Sequence, residues 1–319
     1  MKTKPVFVYK GDALAKYNFG DNHPFGPKRH HVFHDELERL SLGALVQITP
    51  PSRASIDQLA LFHTSSYIDQ VSRASEDGKG FLDDGDTPAF LGVFEAASDV
   101  VGTTLAAIDA IMHGQARRAF SPIGGLHHAR RDKAGGFCVF NDCGVAIHYL
   151  RENYNVQRIL YVDIDAHHGD GIFYDFEDDA DLLFADIHQD GDTLYPGTGA
   201  SDETGTGNAV NTKINLSLPP GATDNEFSEA WAKVENYLMD NPPEFIILQC
   251  GADSLAGDPI TQLNLTEASH RMAALSLCQI ADRHCDGRII GLGGGGYNLD
   301  NIARAWTQVI TAFLVNQKS

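Results

Sequence analysis

LYVDIDAHHGDGI, residues 160–172, sets three aspartates and two histidines into the eight positions 163–170, directly behind an apolar run. A strand buried in a core has no use for that much charge, and an exposed loop gains nothing from the imidazoles. The stretch therefore reads as a buried strand running into a site that binds carboxylate and imidazole together. Three more apolar runs have the same form: LLFADI (182–187), EFIILQC (244–250) and RIIGLG (288–293). Runs of this kind fit strands covered on both faces of a parallel sheet. Between them lie the amphipathic stretches NEFSEAWAKVENYLMD (225–240) and TEASHRMAALSLCQIADRH (266–284). LGVFEAASDVVGTTLAAIDAIMHG (91–114) predicts a long helix that stops at Gly114. Strands alternating with helices predict an α/β architecture with a parallel sheet. No Pro/Ser-rich linker divides the chain, so a single domain over 1–319 is expected.

The polar and glycine-rich clusters each follow a strand. GGLHHAR comes after RRAFSPI, DAHHGDG after LYVDI, GADSLAGD after IILQC, and GGGGYN after IIGL. In open α/β sheets, ligands bind at the carboxyl ends of the strands. Four segments therefore converge on one edge.

Asp165 and His167 stand at i and i+2 where a strand ends, so both side chains leave on the same side. Asp253, in CGADS, holds the equivalent place after another strand. One imidazole nitrogen and two carboxylate oxygens, with positions left open, suit a catalytic zinc. Iron(II), cobalt and manganese also accept such mixed ligation. Ordinary turn aspartates and a satisfied histidine would account for any one of these residues, but not for the whole set at strand ends. His168 reads as a neighbour of the site, not a ligand. His127 and His128, behind two glycines, suit a base and an electrostatic partner, each needing a carboxylate to fix its tautomer. Asp163 and Asp170 flank the metal ligands and are available for that. The glycines 293–296 let the backbone bring the Tyr297 phenol beside the metal, where it donates to a developing oxyanion. No GK[ST] follows them, which rejects a phosphate loop. Metal, paired histidines and phenol together describe hydrolysis of an amide.

Composition narrows the partners. With 24 basic against 43 acidic residues, net −19, direct binding of nucleic acid is not expected; an acidic surface suits cationic partners. Five cysteines, odd in number and without a CxxC pair, read as free thiols of a reducing compartment. PVFVY near the N-terminus is too short for a signal-peptide core, and no apolar run approaches a membrane span. The expected location is the cytoplasm, without a membrane partner.

GGLHHA, GGFCVFND, YVDIDAHHGDG, YPGTG, LQCGADSLAGD and GGGGYN, in this order, resemble the zinc-dependent histone deacetylase family. The likeness extends from HPFGPKRH (23–30) and FHTSSYIDQV (62–71) to ARAWT (303–307). It implies the arginase/deacetylase fold: one domain around a mostly parallel eight-stranded sheet flanked by helices. It implies zinc on Asp165, His167 and Asp253, His128 with Asp170 as general base and then acid, His127 with Asp163 as electrostatic partner, and Tyr297 on the carbonyl oxygen. Gly136 and Phe137, with Tyr195 opposite, would line a narrow tunnel. Arg29 resembles the basic residue of an internal acetate pocket, and Asp86 the rim aspartate that grips substrate backbone. Two positions depart from the pattern. Tyr195 stands where many relatives have phenylalanine. Asp186 replaces a common serine at the potassium position, so the implied structural K⁺ would lie among Asp163, Asp165, His167 and Asp186. The chain lacks the long C-terminal tail of nuclear members and looks like a compact bacterial enzyme.

A binuclear manganese ureohydrolase would need carboxylates where Gly169 and Leu255 stand. A non-catalytic binding relative would be expected to have lost the tyrosine or a metal ligand, and this chain keeps them. The expected substrate is N6-acetyl-lysine in a protein or peptide, with an acetylated cationic small molecule, an acetylpolyamine, as the alternative. The resemblance puts discrimination between them at Ile260, after GDP, where an apolar residue offers no anion for a distal ammonium. Asp83, Asp84 and Asp86 weigh the other way, if they reach the rim from the same chain or from a neighbouring copy in a homo-oligomer.

Overall fold

The structure, a computed structural model, describes residues 5–239 and 241–315. Asp240, at the end of the helix expected over 225–240, and both ends of the 1–319 span lie outside them. The strands are β1 (Val6–Tyr9), β2 (Gln47–Thr49), β3 (Arg118–Ser121), β4 (Ile159–Asp163), β5 (Leu182–Gln189), β6 (Lys213–Leu218), β7 (Phe245–Gln249) and β8 (Ile289–Leu292). Among the described residues they form one eight-stranded sheet in the order β2-β1-β3-β8-β7-β4-β5-β6. Every pairing is parallel, so the sheet has no antiparallel member.

The central strands are buried on both faces, as their unbroken apolar runs predict. In β4, Ile159 and Tyr161 enter one hydrophobic cluster, while Leu160 and Val162 enter the other. In β7, Phe245 and Ile247 face the first and Ile246 and Leu248 the second. The period of two thus feeds two cores, one on each side of the sheet. Helices Ser65–Asp77, Val93–Met112 and Asp142–Tyr154 close the first cluster; Arg29–Arg39, Asp224–Met239, Glu267–His284 and Leu299–Leu314 close the second. Fully burying each of these side chains contributes roughly 1.5–3 kcal/mol. The helix expected over 91–114 ends at Met112, and Gly114 follows in the left-handed region at φ 69°.

Register matters more for the site than any single element. Ser121, Leu292, Gln249, Asp163, Asp186 and Asn215 are paired side by side across β3, β8, β7, β4, β5 and β6. All six are buried, and five are polar. This row is the carboxyl end of β3, β8, β7 and β4, where their loops begin; β5 and β6 run three residues further.

Candidate active site

Behind β4 the chain curls by a relay of side-chain bonds. Asp163 Oδ1 accepts the amide of Asp165 at 3.1 Å, and Asp165 Oδ1 accepts the amide of His167 at 3.0 Å. Aspartate capturing the amide two residues on is a local turn preference. It leaves Asp165 and His167 facing one point. Asp253 arrives from the short 3₁₀ turn Ala252–Ser254 after β7, and its Oδ1 accepts the amide of Ala166 at 2.9 Å.

Among the described residues, Asp165, His167 and Asp253 are the one group of three with donor atoms close enough to share an ion, all within 4.8 Å. All three are buried. His167 Nδ1 lies 3.0 Å from Asp165 Oδ1 and 3.2 Å from Asp253 Oδ2. Around a tetrahedral zinc with bonds of ~2.1 Å, neighbouring ligand atoms stand ~3.4 Å apart. Asp253 Oδ2 is buried and takes part in no hydrogen bond, as a free ligand atom would be. Asp165 Oδ2, by contrast, is saturated by Gln249 Nε2 and the Gly295 amide, each at 2.8 Å. The donor set therefore fits a divalent metal.

His127 and His128 sit above this cluster on the loop after β3. Asp142 holds that loop by accepting the amides of Gly125 and Leu126, and Asn141 Nδ2 donates to the carbonyl of Ala129. His127 Nδ1 meets Asp163 Oδ2 at 2.7 Å, and Tyr161 donates to the same oxygen at 2.6 Å. His128 Nδ1 meets Asp170 Oδ1 at 2.7 Å, and the two Nε2 atoms face each other at 3.1 Å. Burial opposes charge on His127, but Asp163 and then Asp165 overcome it and raise its pKa to about 9. Burial and then the neighbouring His127 lower His128 to about 4, against the pull of Asp170. The pair thus carries one charge, on His127, while His128 stays neutral with its Nε2 as an acceptor facing His127 Nε2.

Tyr297 hangs from the glycine loop after β8. Its amide donates to Asp258 Oδ2 at 2.8 Å, and burial pushes its phenol well above the usual range, so it stays a donor. Gly295 is obligatory, since a Cβ there would collide with the Asp253 carboxylate. Arg29 lies under this loop, donating to the carbonyls of Gly296 at 2.8 Å and Gly294 at 2.6 Å. Its Nη1 is buried without a partner. Gly136, at φ 52°, has no room for a side chain against the His128 ring, and Phe137 follows at φ 66°.

A hollow of about 340 Å³ opens at the surface between Asp83, Asp84, Asp86, Tyr195 and Lys133, with His128 and Asp170 at its floor. His128 also lines the pocket beneath, with Asp165, His167 and Tyr297. Asp86 thus stands at the mouth. Asp83 gathers the amides of Gly85, Asp86 and Thr87, and Thr87 Oγ1 accepts the Phe137 amide at 3.0 Å. Ile260 is not part of either wall: it is half-buried, and its amide donates to Asp258 Oδ1. The same Asp258 carboxylate takes the Ile260 amide on Oδ1 and the Tyr297 amide on Oδ2. At Asp186 both oxygens already have donors, Gly169 N at 2.8 Å and His188 Nδ1 at 2.7 Å.

Residues 23–313 match the model of the histone deacetylase domain. The chain belongs to the histone deacetylase family. It is 38% identical over 316 residues to the acetoin utilization protein AcuC of Bacillus subtilis, covering 95% of this chain and 80% of that protein. It is 33% identical over 312 residues to histone deacetylase 8 of Danio rerio, covering 95% and 78%. The crystal structure of the HDA15 HD domain superposes with a TM-score of 0.89 at 26% identity, covering 98% of this chain and 88% of that one. The family consists of metal-dependent deacetylases acting on acetylated substrates, and this chain is a hydrolase of that class.

Sequence reasoning passed over four residues that the geometry makes important: Thr87, Asp142, Gln249 and Asp258. Only Gln249 carries a visible signal, an amide at the end of the apolar run EFIIL. Thr87 and Asp258 lie in loops and Asp142 opens the helix Asp142–Tyr154, places where a polar residue is ordinary.

Proposed function

We propose that the chain hydrolyses the N6-acetyl amide of lysine in a protein or peptide, with zinc held by Asp165, His167 and Asp253. The continuity from mouth to metal cluster supports this reading: His128 is the floor of the outer hollow and the wall of the inner pocket. Phe137, edge-on to Tyr297, and Tyr195, edge-on to His128 and His167, supply aromatic walls suited to a slender linker of methylenes. Asp165, His167 and Asp253 would hold the metal, which would supply Lewis acidity toward the carbonyl and toward the attacking water. His128 takes the water's proton at Nε2 while Asp170 holds Nδ1, and later returns that proton to the leaving amine. His127 contributes its positive charge next to the reacting carbon. Tyr297 donates its hydroxyl to the oxygen that gains charge.

Acetylpolyamine hydrolysis is the second reading, and Asp83, Asp84 and Asp86 at the mouth favour it, since a distal ammonium needs an anion there. Comparing kcat/KM for an acetyl-lysine peptide, N-acetylputrescine and N8-acetylspermidine decides between them. The peptide should lead; a polyamine preference above about tenfold, or ~1.4 kcal/mol of transition-state binding, would reverse the order. The implied K⁺ would have to share Asp186 with Gly169 and His188. Five buried free thiols agree with a cytoplasmic location.

A further inference from the structure

We infer that Gln249 is a positioning residue for the metal: one buried amide decides which oxygen of Asp165 faces the ion and ties that ligand to the turn carrying Asp253. Gln249 closes β7, paired with Asp163 on one side and Leu292 on the other, and is fully buried. Its Oε1 accepts the amide of Gly251 at 2.7 Å. A backbone N–H can only donate, so the orientation of the side-chain amide is decided by the network. Nε2 must then point the other way, at Asp165 Oδ2 (2.8 Å) and the Gly125 carbonyl (3.3 Å). The bed is fitted to this side chain, because a Cβ on Gly294 would collide with the amide.

The consequence falls on two ligands at once. With Oδ2 of Asp165 taken by Gln249 and Gly295, Oδ1 is left beside His167 Nδ1 and Asp253 Oδ2. Gly251 stands two residues before Asp253, so the same amide sets where the turn leaves β7. Only a neutral amide of this length both accepts from Gly251 and donates to a carboxylate. Methionine matches it in length and volume but leaves both partners unpaired. Asparagine keeps the amide but is one methylene too short to span them.

This rests on the metal site proposed above. The test uses the full chain, wild type and the Gln249→Met and Gln249→Asn variants, each freed of metal by a chelator. Zinc affinity is measured by competition with a chromophoric chelator, and the cobalt-loaded forms by their visible d–d bands. Both variants should bind zinc about 10- to 100-fold more weakly, the scale for loss of a group that orients a ligand, with a shifted cobalt spectrum. Where a variant does not stay folded without metal, the rise of its urea midpoint with free zinc reports the same affinity. Zinc binding within threefold of wild type and an unchanged cobalt spectrum in either variant would overturn the inference while leaving the metal site standing. Wild type that binds no stoichiometric zinc or cobalt would take down both.

Discussion

In the proposed mechanism Tyr297 and His128 act on the same amide from opposite ends, one on its oxygen and one on the protons of water and amine, and their removal would separate the two contributions. Tyr297→Phe should lower turnover of an acetyl-lysine peptide about a hundredfold or more, the usual cost of losing one oxyanion donor. His128→Ala should cost at least as much, since a positioned base contributes roughly 10²–10⁴. Steady-state kinetics on metal-loaded protein check both, and near-native turnover in either variant contradicts its assigned role. At this scale much of the site is legible in the sequence. Asp165, His167 and Asp253 stand out because charge directly behind a buried strand is costly without a partner, and the structure brings their donor atoms together. Ile260 is the counter-example. It lines neither the hollow nor the inner pocket, and the contacts that hold its turn, the Tyr297 and Asn298 amides on Asp258, come from far along the chain, where no local pattern announces them.

The glycine loop 293–296 is an element without regular structure, suspended from Arg29 below and Asp258 beside it. Its position, not its flexibility, sets where the phenol hangs. Asp258→Ala leaves the amides of Tyr297 and Asn298 without their acceptor, a cost of about 1–3 kcal/mol. It should lower kcat well beyond what that loss of stability explains, with zinc affinity close to wild type. A urea titration beside kinetics at saturating zinc reads both; unchanged kcat would show that Tyr297 needs no such anchor. Strands at the middle of the sheet are legible because burial on both faces forces an unbroken apolar run. β2 at one edge is three residues long and largely exposed, and β6 at the other mixes buried and half-buried positions. Neither presents that signal. β1 lies inside but spans only four residues.

For the molecule as a whole, the helix-covered sheet traps histidines outside the metal cluster and the His127–His128 pair as well. Burial lowers His34 to about 3 and His30 to about 4, and His63 to about 3. Each is neutral when folded and takes up a proton near its ordinary value of 6.5 when unfolded. The unfolded chain then binds more protons, so their contribution to stability is complete above that pH and is lost as pH falls towards the folded values. His34→Leu removes one such group. Relative to this variant, wild type should lose about 2 kcal/mol between pH 7.5 and 5. Urea midpoints of the two proteins at both pH values give the difference, and a constant gap would mean that His34 is not kept neutral. The row of side chains from Ser121 to Asn215 carries a last consequence. Since the reactive groups hang from the carboxyl edge, the turns that enter the strands from the opposite rim, such as exposed Asn155 before β4 and Asp286 before β8, take no part in chemistry. That rim is the face on which the protein can be lengthened, tagged, tethered or fused to another module while the catalytic edge stays intact.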